Sequence, residues 1–370
     1  MAGAGGGYSV TAWFARLAGP VLWAWDRRVS GTPVLVAELS DEDRAALQAR
    51  LTPAVERLLV LRDEVVAEVD EKARVPVPAA AGVALLVVWL TSGNLLLALG
   101  IAAAAAGGVF SILSLGPAMR HDADVRRTFG PDLARYLADF SHETEGFLPD
   151  EVAEGWKLFP RVDRALWLDR MQGTREGRAA TMYRLSARYY REAPANADAR
   201  PHRAETLEAF AVEIPAAPLA EDVVILMSRR EVRPLSTGPL ARGLAPVDAC
   251  EGRLRRYYTV LAADPGHAAR VLTPERCAQI RALAEDYLGR RPRRPPILLF
   301  LPDRLLALFP LTPRLRLFRP PPFWQPLDPD AVLDRFASDL AVVHGFLMDL
   351  LAIAPPPPPA APPPAGQGDA

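Results

Sequence analysis

The sequence predicts a membrane protein. A two-helix transmembrane hairpin carries a helical N-terminal arm and a cytoplasmic α+β domain of antiparallel strands plus helices. Three observations lead there. Val75–Met119 runs 45 residues without Asp, Glu, Lys, Arg or His. A heptad-like apolar seam precedes that stretch, and alternating β-branched and aromatic runs follow it. Hydrophobic residues make up 50% and charged residues 24% of the 370-residue chain, enough apolar side chain for a core outside the hairpin.

As one helix, the charge-free stretch would measure about 67 Å, over twice the ~30 Å hydrocarbon core of a bilayer. It must fold back, and Thr91-Ser92-Gly93-Asn94 is the turn signal near its middle. The split leaves Leu95–Leu115 as a full span and Pro76–Leu90 as a short one that needs the turn residues to share its depth. Each Leu, Ile, Val or Phe contributes about −0.3 to −0.6 kcal/mol at a helix centre, and no charge costing about +3 kcal/mol opposes them. Gly100, Gly107 and Gly108 would weaken a helix in water but permit close helix–helix approach in lipid. The alternative is a helical pair buried in a soluble core, which rarely runs so far without a charge. The hairpin occupies residues 75–119. Lys72 and Arg74 precede it, Arg120, Arg126 and Arg127 follow it, and its tip carries neither Lys nor Arg. Both ends are therefore expected in the cytoplasm. The stretch starts too late for a cleaved signal peptide, and the N-terminus lacks a basic region.

Residues 1–74 form the helical cytoplasmic arm. Trp13, Phe14, Trp23 and Trp25 precede Asp26-Arg27-Arg28 and fit either an interfacial helix or one packed on the cytoplasmic domain. The Gly-rich start has no Gly-Lys-Ser/Thr after it and no strand before it, so it is not a phosphate loop. Ser40 and Asp43 open a helix, and Thr52-Pro53 is expected to restart it as N-cap and first residue. Leu47, Leu51, Ala54, Leu58, Leu61 and Val65 alternate at four- and three-residue spacing, a coiled-coil-like seam. It covers under three heptads, which favours a helical hairpin packed on itself. A protein partner or a homo-oligomer formed through these helices is the second expectation.

Residues 120–354 form the α+β domain. Val125, Phe129, Leu133, Leu137 and Phe140 mark an amphipathic helix beside the membrane. Strands are read in ATMYRLSARYYRE, TLEAFAVEIP, DVVILMSRR, LRRYYTVLAAD, PPILLFLPDRLLALF and RLRLF. Thr273-Pro274 opens a helix that Gly289 closes, and a long amphipathic helix starts near Asp328. Residues 355–370 are a Pro-rich tail with no means of building a core, and are expected to be disordered.

The composition excludes several classes. Net charge is −1, and no basic domain points to nucleic acid. Lys72 and Lys157 are the two lysines among 43 basic residues, a bias expected of a GC-rich bacterial genome. Cys250 and Cys277 are the two cysteines. They exclude a disulfide framework, and a single bridge is not expected in a reducing cytoplasm.

The layout resembles bacterial membrane proteins of the family called domain of unknown function 3137. Two short segments carry it. The first holds Leu158, Phe159, Pro160, Asp163, Arg164, Asp169 and Gly173. The second holds Tyr258, Val260, Asp264, Ala269, Arg270, Leu272, Thr273 and Pro274. Leu168 and Ala268 stand where that family usually carries acids, and Ala211-Val212 follows Phe210 where it carries a glycine. The family has no assigned activity, so the resemblance implies location and fold but no chemistry.

Asp163, Arg164 and Asp169 are the strongest polar cluster in the sequence. An Asp–Arg pair there would anchor the turn after Leu158-Phe159-Pro160 or line a ligand site. His142, Glu143 and Glu145 are read as a solvated helix face. No histidine pair has metal-ligand spacing, and no nucleophile motif is present. Arg290, Arg291, Arg293 and Arg294 suit either an exposed loop or anionic headgroups. No catalytic residue, metal or cofactor is assigned. The expected function is an uncharacterised binding or scaffold module at the inner face of a bacterial plasma membrane, with the lipid bilayer as its partner. The alternative is a membrane-tethered enzyme with an Asp/Arg-based site.

Overall fold

The computed structural model describes residues 9–11, 41–137, 140–159, 161–190, 204–216, 222–228, 243–250, 252–289, 295–311, 323–324 and 328–355. The Trp-rich segment, Pro160, the arginines at 290–294, the RLRLF segment and residues 356–370 lie outside them. The chain divides into two compact units, Met1–Leu133 with Arg316–Ala341, and Ala134–Leu315 with Val342–Ala370. Among the described residues are seven α-helices and nine strands.

In the first unit, α1 (Asp41–Ala73) runs straight through Pro53, so the expected restart at Thr52 does not occur. Thr52 instead donates its hydroxyl to the Gln48 carbonyl at 2.7 Å, as a residue inside a helix does. A mid-helix proline costs roughly 3 kcal/mol. Burial of Leu47 and Leu51 before it and Ala54 and Leu58 after it holds the helix on course. After a bend of 43° comes α2 (Pro76–Ser92), with proline in its first turn. Gly93 caps α2 at φ 63°, its N–H reaching the Trp89 carbonyl at 2.9 Å. Asn94 then caps α3 (Leu95–Tyr136), accepting the Leu97 N–H at 3.1 Å.

The α3 helix returns antiparallel to both earlier helices. Val77 and Ala81 pack in one cluster with Ala106 and Phe110. Further from the turn, Arg120 forks onto Glu68 at 2.5 and 2.7 Å, and Arg57 stands 3.8 Å from Asp132. These pairs lie at nearly equal distances from Gly93–Asn94, as an antiparallel register requires. Ala98, Ala102, Ala106 and Phe110 form the buried face of α3, at the four-residue spacing of one helix side. Those alanines, rather than Gly100, Gly107 and Gly108, permit the close approach. A Cβ built on any of the three glycines meets nothing within 4 Å. The helix also continues through Pro117 and Pro131, so the amphipathic segment expected after the membrane is its second half.

Among the described residues two helices are each long and apolar enough to cross a membrane, α3 and α7 (Pro329–Ile353), and α2 passes only when joined across its bend to α1. Burial separates them: 22% of the apolar window is buried in α3 and 61% in α7. Phe129 of α3 stacks on Phe336 of α7 at 4.7 Å.

The second unit is built on a nine-stranded antiparallel sheet in the order β1-β2-β3-β4-β9-β8-β5-β7-β6. The strands are β1 (Ser141–Phe147), β2 (Arg161–Arg175), β3 (Arg178–Tyr190), β4 (Ala204–Pro215), β5 (Val224–Ser228), β6 (Ala245–Val247), β7 (Tyr258–Ala262), β8 (Ile297–Phe300) and β9 (Arg304–Pro310). Glu176 (φ 52°) and Gly177 (φ 73°) join β2 to β3; two positive φ values match the twist of a two-residue hairpin. One sheet face packs a core of Leu185, Ala211, Ile225, Leu299 and Leu306 with Trp156, which follows α4 (Asp150–Gly155). The other face carries an aromatic cluster. Phe309 of β9 stacks on Phe346 of α7 at 4.1 Å, and Tyr287 of α6 (Pro274–Gly289) packs on both. The Ser141–Glu145 segment, read from sequence as a helix face, is strand β1. Its alternation of polar side chains with half-buried His142, Thr144 and Gly146 gives it the period of two that a strand requires.

Cys250 and Cys277 are bonded, against the expectation that they form no bridge. A 3₁₀ turn (Gly252–Arg256), β7 and α5 (Pro265–Val271) fold the chain back on itself. That brings Cα atoms 27 residues apart in sequence to 6.3 Å, within reach of a bridge.

Candidate functional site

The residues singled out in the first family-like segment take separate positions. Leu158 and Phe159 are fully buried, with Phe159 against Trp156 and Tyr189. Asp163 pairs with Arg188 of β3 at 3.2 Å rather than with Arg164. Arg164 instead lies over the Phe147 ring at 5.2 Å. Asp169 carries φ 53°, its carboxylate 3.8 Å from His142 Nε2. The side chain of His142 is 2% exposed.

Both acids sit where β2 slips register against β3. Val162 faces Tyr189 while Arg164 faces Arg188, so Asp163 is an inserted residue. Leu168 faces Arg184 while Met171 faces Met182, leaving Asp169 and Arg170 opposite Tyr183 alone. These are β-bulges. A strand repeats its faces every two residues, yet Val162 and Ala165, three apart, share one core. The first bulge supplies the odd residue that permits this. At the second, aspartate is one of the few non-glycine residues that tolerates a left-handed backbone. Gly173 is required for a different reason. A Cβ there would lie 2.4 Å from Phe140 Cδ1 and 2.9 Å from Phe140 Cα.

A polar cluster joins the two family-like segments. Lys157 (φ 53°) donates to Asp222 Oδ1 at 2.6 Å. Asp264 caps α5 by accepting the His267 N–H at 2.7 Å. Buried His267 places Nε2 3.0 Å from the Asp222 carbonyl, and Arg270 donates to Nδ1 at 3.4 Å. Burial pushes the Asp222 carboxyl up, but the Lys157 hydrogen bond and the Val223 N–H outweigh it and hold the group below its ordinary value. Asp264 and Arg270 were named in the sequence only for the family resemblance, and the short helix they belong to was not expected. Lys157 and Asp222, far apart in sequence, carried no signal of their pairing.

A second cluster crosses β3, β4 and β9. The Tyr183 hydroxyl donates to Glu213, and Arg304 binds Glu213 at 2.9 Å and Asp303 at 2.7 Å. Burial first, then the Glu213 charge, pushes the Tyr183 phenol well above its ordinary value. At the end of α7, Arg178 donates to the carbonyls of Leu351 and Pro355, and Arg276 to that of Ile353. Two guanidinium groups thus satisfy carbonyls left open at the helix end. Among the described residues no group of three His, Cys, Asp or Glu side chains is placed to hold a metal ion.

No protein-family model and no curated protein matches the chain. Among solved structures, it is similar to the crystal structure of the mycobacterial trehalose monomycolate transport factor A, TtfA, at 13% identity and a TM-score of 0.30. That match covers 62% of this chain and 96% of the other. A likeness of this degree carries no argument about function.

Proposed function

We propose that the chain is a membrane-anchored, non-catalytic binding or scaffold module of a bacterial plasma membrane. Residues 75–119 of the α2–α3 hairpin lie in the bilayer, and the sheet unit and both chain ends are in the cytoplasm. One observation carries the membrane reading. Val83, Leu86, Trp89, Leu90, Leu95, Leu96, Leu99, Ile101, Ile112 and Leu115 are all exposed, within residues 75–119, which hold no charged group to solvate them. Water would meet an apolar surface on nearly every side outside the inter-helix seam, whereas lipid solvates it. Support for a non-catalytic role comes from the separate engagement of Asp163, Arg164 and Asp169 with Arg188, Phe147 and His142. The two family-like segments support membership of the domain of unknown function 3137 family. Flotation of the purified full chain with phosphatidylglycerol/phosphatidylethanolamine liposomes tests the anchor. The intact chain rises with the lipid, and a variant with residues 76–119 replaced by a short Gly/Ser linker stays at the bottom. Equal behaviour of the two would defeat the reading.

The enzyme alternative is favoured by one feature, the buried His142 imidazole beside the Asp169 carboxylate at a bulge. Loss of a detected turnover in Asp169→Asn and His142→Gln variants that retain the parent's melting temperature would establish it.

A further inference from the structure

We propose that Cys250–Cys277 is a reversible thiol–disulfide site that holds the edge of the sheet closed, its reactant a small-molecule thiol. The inference rests on the cytoplasmic placement proposed above. A disulfide in a reducing compartment is characteristically transient and regulatory rather than structural.

The site has the construction that exchange needs. Cys250 is 5% exposed, but Cys277, in the first turn of α6, is only partly buried. Cys277 is thus the more exposed residue of the pair, and attack is assigned to its Sγ. Attack forms a mixed disulfide on Cys277, breaks the Sγ–Sγ bond and sends its electron pair to Cys250 as the leaving thiolate. Arg255 ties down the backbone at the bridge, its Nε donating to the Cys250 carbonyl at 3.3 Å. A second thiolate attacks its counterpart on the mixed disulfide and releases Cys277. Two small thiols become one small disulfide, and the protein gains two electrons and two protons.

The bond also controls a defined element. Cys250 lies between β6, a three-residue edge strand, and the 3₁₀ turn; Cys277 belongs to α6. Val247, Asp248, Cys250, Leu254, Arg255 and Tyr258 line a cavity of about 180 Å³ beside the bridge. Arg255 closes its rim by pairing with Asp248 at 2.5 Å. Reduction leaves β6 held through β7 alone, where Ala245, Pro246 and Val247 pair with Ala262, Leu261 and Val260. Pro246 has no N–H to give that ladder.

The test uses the full chain in detergent and in cells. In glutathione buffers, with free thiols counted by maleimide-PEG after acid quenching, both forms are populated within the millimolar range. Reduction raises tryptic cleavage after the exposed Arg255 and Arg256 at least tenfold, and Cys250→Ser cleaves at the reduced rate in either buffer. In intact cells the bond forms with diamide and opens with dithiothreitol while external protease leaves the sheet unit whole. A bond that resists millimolar glutathione in a unit digested from outside overturns both the inference and the cytoplasmic placement. Thiols that stay reduced under diamide, or interconversion without a change in cleavage, overturn the inference alone.

Discussion

Replacing Gly173 by alanine puts a methyl group where the structure has no room. Gly173 of β2 lies opposite Ala180 of β3, and the ring of Phe140 rests against its face. The new Cβ would fall 2.4 Å from Cδ1 and 2.7 Å from Cγ of that ring, and 2.9 Å from the Phe140 Cα. Turning the ring relieves the first two contacts but not the third, so the backbone must shift as well. Overpacking of this kind costs about 1–3 kcal/mol. For a unit of some 200 residues each kcal/mol moves the midpoint by roughly 2–4 °C. Gly173→Ala therefore lowers the melting temperature of the sheet unit by roughly 2–12 °C, read by near-UV circular dichroism of the full chain in detergent. In a Phe140→Ala background the ring contacts are gone, and the same substitution costs at least about 1 kcal/mol less by the double-mutant cycle. Additive losses, or a Gly173→Ala variant that melts with the parent, would refute the packing argument.

Further outcomes follow from the same geometry. Arg276→Ala frees the Ile353 carbonyl at the end of α7 and the Val271 carbonyl of α5 and costs about 1.5–3 kcal/mol, measurable as a shift in urea midpoint; Arg276→Lys recovers only part of it. Buried His121 has neither ring nitrogen hydrogen-bonded among the described residues. Burial pushes its imidazole below its ordinary value, Asp122 and Asp124 pull it up, and Arg62 adds to the fall. Its folded value being depressed, the unfolded chain takes up the proton first. The stability of the helical unit is full above about pH 6.5 and declines as the pH falls through that value. His121→Leu flattens that decline in a helix-melting profile taken from pH 8 to 5. Glu68→Gln separates two cations from their shared carboxylate, which the Lys72 ammonium first and the Arg120 guanidinium second hold below its ordinary value. Exposed pairs contribute little, so the variant melts close to the parent, and closer still in high salt.

Much of the architecture was legible because it depends on local patterns. The Gly93–Asn94 turn, the helix from Thr273-Pro274 to Gly289 and strands β3, β4, β5, β8 and β9 follow from caps and periodicity near in sequence. What escaped depends on partners far along the chain. Thr52-Pro53 signalled a restart that packing of α1 overrides. The bulges at Asp163 and Asp169 depend on the register of β3, which those residues do not encode alone. The Cys250–Cys277 bridge needed the chain to return through the 3₁₀ turn, β7 and α5, and the Lys157–Asp222 pair needed it to return through β2, β3 and β4.

Alkaline carbonate extraction of cell membranes expressing the full chain addresses the central claim most directly, because it strips peripheral proteins and leaves those whose apolar helices are in the bilayer. The account predicts the chain in the pellet, and release of Leu97→Arg/Leu113→Arg into the supernatant, each arginine opposing insertion by about 2.5–3.5 kcal/mol. Recovery of the unmodified chain in the supernatant would contradict it.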